Sequence, residues 1–232
     1  MVVQPSPDWP WSCPATRIFL IEYDIWRDNM KIKSMQVGEL ATNCYFLIDE
    51  TTNTAAIIDP GDQAQDILEA VQAEGARVEY ILLTHGHYDH IGGVVRLHQA
   101  LPESRVYLHK ADSRGTGFHV VPLADQVADL NYYNDGDQLA LGGLTIHVIH
   151  TPGHTPGGVT LKVEDVLFTG DTLFAGSMGR SDFPGGNTQQ LFDSLKKLAL
   201  LEGDYQVLPG HDRTTTLGRE RVSNVFVLEA LK

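Results

Sequence analysis

Four side chains able to bind a metal ion fall within six residues in the segment Thr84-His85-Gly86-His87-Tyr88-Asp89-His90. The segment follows directly on Val78–Leu83, an apolar run of strand length. Side chains alternate on extended backbone, so His85 and His87 point to the same side and can reach one ion. Asp89 and His90 lie past the turn, where a second ion can be held nearby. The competing reading is a set of surface histidines without a metal. Three later segments repeat one design, a strand, a tight turn with glycine and a metal-competent side chain. They are Thr151-Pro-Gly-His154-Thr-Pro-Gly-Gly158, Thr169-Gly-Asp171-Thr172 and Leu208-Pro-Gly-His211-Asp212. Glycine lets the backbone turn sharply and approach a site closely, and a strand end offers a rigid base for a ligand. Each alone is weak, since a lone Pro-Gly-His is more often a turn. Together they require a fold that gathers several strand ends in one place.

The remainder reads as short strands interleaved with helices. Cys44–Asp49 and Ala55–Asp59 are expected strands joined by Glu50-Thr-Thr-Asn53, and Asp59-Pro-Gly-Asp62 ends the second. Ala64–Glu74 has helical spacing, with Ile67, Leu68 and Val71 on one face and Gly75 as a stop. Val94–Leu101 is expected as a helix and Val106–His109 as a strand. Leu144–His150, Val159–Val163 and Val166–Thr169 are expected strands. A helix over Gln189–Leu201, a strand over Gln206–Leu208 and a closing helix over Leu217–Leu231 complete the reading. Mixed elements of this kind imply a layered α/β domain, two sheets covered by helices. Residues 1–29 differ in character: Trp9, Trp11 and Trp26 and four prolines gather there, without the pattern of a secretory signal. The domain is therefore expected over 30–232, with 1–29 as an extension.

Charge narrows the function. Asp+Glu 30 against Lys+Arg 17 leaves a formal charge of −13, which disfavours nucleic acid, because a phosphate backbone is held mainly by Lys and Arg. No apolar stretch approaches the roughly 20 residues of a membrane-spanning helix. Cys13 and Cys44 lie in no metal-ligand spacing and read as free thiols in a reducing cytosol, which makes a cytoplasmic location the expectation.

The order His-x-His-x-Asp-His, then His, then Asp, then His resembles the metallo-β-lactamase superfamily, whose fold is an αββα four-layer sandwich. Leu83-Thr-His-Gly-His-Tyr-Asp-His-Ile-Gly-Gly93 and Leu173-Phe-Ala-Gly-Ser-Met-Gly-Arg-Ser-Asp-Phe-Pro-Gly-Gly186 are similar to the short bacterial glyoxalase II-like hydrolases. The resemblance implies one ion on His85, His87 and His154, a second on Asp89, His90 and His211, and Asp171 bridging them. It further implies a thioester substrate of the S-lactoylglutathione type and a hydroxide shared by two divalent ions, with Asp89 and Asp171 as the catalytic carboxylates. Imidazole and carboxylate ligands without thiolate suit zinc, and also iron or manganese. Long glyoxalase II enzymes add a helical region after the last metal histidine that binds glutathione; this sequence ends at Lys232. Another thiol carrier or acyl compound is therefore open.

Several residues carry two readings. Arg180 either meets an anionic group on the substrate or pairs with Asp182 or another carboxylate to fix its loop. Asp59 is a partner for a ligand histidine or a turn former. Tyr88 lines the pocket or packs. His98, His109, His119, His147 and His150 match no ligand position. Among other activities, a β-lactamase is disfavoured by Asp171 between the last two histidines. A lactonase uses nearly the same ligands. A persulfide dioxygenase would hold one iron through His85, His154 and Asp171.

Overall fold

The structure, a computed structural model, describes residues 25–27, 29–115 and 121–232. Strand β1 (Ile25–Arg27) pairs antiparallel with β2 (Met30–Val37), which pairs along its whole length with β3 (Thr42–Asp49). β4 (Thr54–Ile58) continues antiparallel, then crosses through helix α1 (Ala64–Ala73) to the parallel strand β5 (Arg77–Leu82). A single helical turn α2 (Tyr88–Ile91) and helix α3 (Val94–Ala100) lead to β6 (Arg105–His109) and β7 (Asn131–Tyr133), both parallel to their neighbours. The seven strands lie in sequence order in one sheet.

The second sheet holds β8 (Gln138–Leu141), β9 (Leu144–His150), β10 (Val159–Val163) and β11 (Val166–Gly170) as an antiparallel meander. A small hairpin, β12 (Leu173–Phe174) and β13 (Ser177–Met178), and helix α4 (Thr188–Ala199) follow. β14 (Gln206–Pro209) then pairs parallel to β11, and β15 (Thr215–Thr216) closes the edge before helices α5 (Leu217–Ser223) and α6 (Val225–Ala230).

The layering follows from the pleat. Every residue of β3 is buried, as expected of a strand covered on both faces. Phe46 and Ile48, with Ile57 and Ile81, pack beneath Ile67 and Val71 of α1 and Val94 and Leu97 of α3. Tyr45 and Leu47 face the other way and meet Ile146, Val148, Leu161 and Phe168 of the second sheet. On that sheet's far side Leu167 and Val207 pack against Leu195 and Leu198 of α4, Leu217 of α5 and Val227 of α6. The αββα sandwich is thus present, and the expected strands and helices fall within a few residues of their observed bounds. Among the described residues no helix is long and apolar enough to cross a membrane.

Three features differ from the sequence reading. The first sheet begins ahead of Met30, since Ile25–Arg27 are hydrogen-bonded to β2; the rest of the 1–29 segment, Cys13 included, lies outside the described residues. The short strands β7, β8, β12, β13 and β15 carry too few residues to show a period. The expected closing helix is broken in two at Asn224, whose backbone is extended at φ −82°, ψ 114°. The cause is its buried side chain. Oδ1 accepts from the amides of Phe226 and Val227, capping α6, while Nδ2 donates to the Ser177 carbonyl and to Glu220 at 2.9 Å each. Glu220 in turn accepts from Gly176 N and Thr215 Oγ1, both at 2.7 Å. Asn224→Ala is expected to cost about 2–4 kcal/mol, from a lost cap and stranded buried partners. Urea unfolding measures it, and an unchanged midpoint would show that the side chain does not hold the break.

Candidate metal centre

All four motif segments leave strand ends at one edge of the sandwich, after β5, β9, β11 and β14. The first is anchored by Asp59 at the end of β4. Asp59 adopts left-handed backbone, φ 51°, which aspartate tolerates better than most residues. Its carboxylate accepts from Thr84 N at 2.7 Å and Thr84 Oγ1 at 2.6 Å, and from His90 Nδ1 at 2.9 Å. Both open readings of Asp59 therefore hold: it ends the strand, and it turns His90 Nε2 inward. α2 follows at once and brings Asp89 and His90 to the same side. A Cβ on Gly61 would lie 1.5 Å from the Asp89 carbonyl, so only glycine lets the Asp59-Pro-Gly turn pack under α2.

The other ligands are oriented in the same manner. His154 donates from Nδ1 to the Arg180 carbonyl at 2.7 Å, and His211 from Nδ1 to the Leu40 carbonyl at 3.2 Å. The His211 loop is pinned by Tyr45, whose hydroxyl donates to Pro209 O at 2.7 Å, and by Asn43, whose amide donates to Pro209 O and Asp212 O. Gly210 is needed for the approach: a Cβ there would sit 2.4 Å from Asp171 Oδ1.

Two triads result. His85 Nε2 and His154 Nε2 lie 3.1 and 2.9 Å from His87 Nδ1. His90 Nε2 lies 3.3 Å from His211 Nε2, and Asp89 Oδ2 lies 3.2 Å from the same His211 nitrogen. Asp171 stands between them, with Oδ1 3.4 Å from His90 Nε2 and Oδ2 3.3 Å from His154 Nε2. His85, His87 and His154 have their ligand atoms within 4.8 Å of one another, as do Asp89, His90 and His211, and His85, His90 and Asp171.

The residues fit divalent ions. With Nδ1 committed as donor, His154 and His211 each turn Nε2 inward as the ligand atom. Burial, and then repulsion from His154, holds His87 down to about 4, so its ring is neutral and ready to bind a cation. Burial and the surrounding histidines push His85 well down too. For Asp171 burial raises the pKa, but His90, His154 and His211 outweigh it and hold the group strongly acidic. His90 is raised despite its burial, by Asp171 and Asp59. Asp171 and Asp89, both held below the ordinary carboxylate range, thus supply the negative charge that a pair of divalent ions calls for. Finally, Asp171 Oδ1 is buried and accepts no hydrogen bond among the described residues, an atom that a bound cation would satisfy.

All seven residues expected as ligands come together. Arg180 does not join them: it makes a double hydrogen bond to Asp182, at 2.7 and 2.8 Å, and its guanidinium lies 3.7 Å above the Phe183 ring. Tyr88 stands at the rim, 46% exposed. Outside the cluster, His109 and His150 stack on each other at 4.4 Å and His98 pairs with Asp129, while His119 lies outside the described residues. Cys44 is buried in β3 and unpaired. Sequence reading missed Asp112, Asn43 and Tyr45, which brace the segments that carry the histidines and sit in no glycine turn.

An αββα sandwich with a histidine–aspartate cluster on its strand ends is the architecture of a metal-dependent hydrolase. Residues 37–211 match the metallo-β-lactamase superfamily, and the chain belongs to it. It is 40% identical to an uncharacterized protein of Aquifex aeolicus over 215 residues, 87% of this chain and 99% of that one. It is 34% identical over 209 residues to the hydroxyacylglutathione hydrolase GloC of Haemophilus influenzae, 85% of this chain and 98% of that one. Among solved structures it is similar to TTHA1623 in a di-iron-bound form, with 36% identity, TM-score 0.72 and coverage of 83% and 98%. The B3 metallo-β-lactamase BLEG-1 matches with 35% identity, TM-score 0.72 and coverage of 84% and 99%. ETHE1 from Myxococcus xanthus matches with 29% identity, TM-score 0.72 and coverage of 86% and 87%.

Proposed function

We propose that this protein is a dinuclear metallohydrolase that cleaves a thioester. One observation carries the reading: the Asp171 carboxylate stands between the two triads, with Oδ1 3.4 Å from His90 Nε2 and Oδ2 3.3 Å from His154 Nε2 and 3.6 Å from His211 Nε2. A carboxylate so placed can hold two cations at a fixed separation. His85, His87 and His154 would hold one ion, and Asp89, His90 and His211 the other. Zinc suits this thiolate-free set best, with iron or manganese compatible, and the di-iron form of TTHA1623 supports a two-metal reading. When bound, such a pair supplies Lewis acidity and lowers the pKa of a shared water toward neutrality.

The protein's own groups then set the geometry. Asp89 Oδ2 is steadied by Thr42 Oγ1 at 3.1 Å and can accept a hydrogen from the attacking water, fixing its orientation. Asp171 is held deprotonated by its histidines, so it remains a ligand across the neutral range. Phe183 stands edge-on to His87, ring centroids 6.1 Å apart, and Phe174 edge-on to His211 at 6.3 Å. These rings wall the cluster on its two sides. Because Arg180 is already paired, it is a loop brace rather than an anchor for a substrate anion. The hydroxyacylglutathione hydrolase GloC at 34% identity supports a thioester of the S-lactoylglutathione type. Phe183→Ala is expected to raise KM several-fold while metal content stays unchanged; an unaltered KM would remove Phe183 from the substrate wall.

The deciding experiment combines metal analysis with a panel of thioesters, lactones, β-lactams and glutathione persulfide. Two ions per chain with thioester turnover is the expected result. One iron per chain with oxygen uptake on the persulfide would overturn the reading in favour of a mononuclear site on His85, His154 and Asp171.

A further inference from the structure

Asp112 ends a single 3-10 turn, Lys110–Asp112, that follows β6 and lies far in sequence from every ligand. It is 2% exposed, and among the described residues no lysine or arginine forms an ion pair with it. A buried carboxylate without a cation is costly unless donors surround it. Three do. Oδ2 accepts from the amide of Gly86 at 3.0 Å and from Thr155 Oγ1 at 2.7 Å, and Oδ1 accepts from the amide of Gly157 at 2.7 Å.

The identity of these donors matters more than their number. Gly86 separates His85 from His87, and Thr155 directly follows His154. One carboxylate therefore joins the two loops that supply the all-histidine triad, and it touches neither the α2 turn nor the His211 loop. The close approach is built into both sides: a Cβ on Gly157 would fall 2.5 Å from the Asp112 carboxyl carbon, so glycine at that position is what admits the carboxylate. The outer nitrogens of the triad each have one support of their own, and neither links the two loops to each other. His154 leans on the Arg180 carbonyl, from an exposed loop, and His85 Nδ1 meets only Thr84 Oγ1 at 3.1 Å. A backbone bond from Val159 N to Thr84 O at 2.8 Å ties the two segments at their strand ends, and Asp112 is the side chain that joins them beside the histidines.

We propose that Asp112 is the positioning residue of the His85–His87–His154 site, setting that site's affinity for its ion independently of the Asp89–His90–His211 site. This rests on the dinuclear reading above. Loss of a hydrogen-bonded partner behind metal ligands typically weakens binding about 10–100-fold. The effect here is confined to one of two ions because no bond of Asp112 reaches the other triad. Asn at this position keeps one acceptor oxygen but turns an NH2 toward a donor, so it restores only part of the function.

The test uses the full chain loaded with Zn2+, then equilibrated against buffers of graded free zinc, with bound metal counted by elemental analysis. Wild type is expected to hold two ions. Asp112→Ala is expected to keep one ion at wild-type affinity and to bind the other about 10–100-fold more weakly, with Asp112→Asn between. Co2+ substitution identifies the weakened site, which must be the one with three imidazole ligands. Should Asp112→Ala fail to fold, Thr155→Val removes a single one of the three bonds and is expected to give a smaller loss at the same site. Equal weakening of both ions, or of neither while the metal-free chain melts at lower temperature, would overturn the proposal and leave Asp112 a folding residue. A wild-type chain that binds one ion would instead defeat the dinuclear reading and this proposal with it.

Discussion

Replacing Asp171 by alanine is expected to reduce thioester turnover on the order of 10³-fold or more, since several kcal/mol of charge stabilisation are withdrawn. Metal content should fall with it. The reasoning is local. Among the described residues Asp171 is the sole carboxylate placed between the triads, and it approaches His90, His154 and His211 at 3.3–3.6 Å. Without it two cations would face each other across a gap lined by neutral imidazoles, and their repulsion would go uncompensated. Asp171→Asn separates charge from shape. It fills the same space beside Gly210, whose missing side chain exists to admit Oδ1, yet supplies no negative charge. Both variants should lose activity together. If Asp171→Ala retains wild-type turnover and two ions, the bridging role is wrong.

Removal of metal should have the second largest effect, and on stability as much as on activity. Ions that bind only the folded chain stabilise it by mass action, about 4 kcal/mol for a site held at 1,000 times its Kd. In a domain of this size 1 kcal/mol corresponds to about 2–4 °C in Tm. Each ion is therefore worth about 8–16 °C under such loading. The centre holds Asp171 Oδ1 buried without a hydrogen bond among the described residues and packs five imidazole rings against one another. Calorimetry of chelated and reloaded protein measures the difference. A melting temperature unmoved by complete, verified metal removal would show that the cluster is stabilised by its own hydrogen bonds and needs no ion to hold it.

Much of this centre was legible because its information is local. A strand end, a glycine turn and a metal-competent side chain occupy a few consecutive residues in each of the four segments, and the spacing of His85 and His87 just past β5 brings them together without knowledge of the rest. The layers were legible for the same reason: β3 and β10 are runs buried on both faces, and α1 carries its apolar stripe at helical spacing. The break at Asn224 was not, because apolar periodicity runs through it unbroken. What interrupts the helix is a hydrogen bond to Ser177, 47 residues away. Arg180 could be read as an anchor or a brace from sequence, and in the structure its guanidinium makes two hydrogen bonds to Asp182, two residues on.

The amino-acid sequence by itself determined the kinds of ligand, the turns that carry them and the two-sheet layering, all properties of short windows of chain. Tertiary structure alone decided that His87 meets His154 across 67 residues and His90 meets His211 across 121. It also decided that Asp112 would stand behind one triad and Asp59 behind His90. Such contacts leave no periodic trace, because they depend on how the two sheets stack and where their edges coincide rather than on any run of neighbouring side chains.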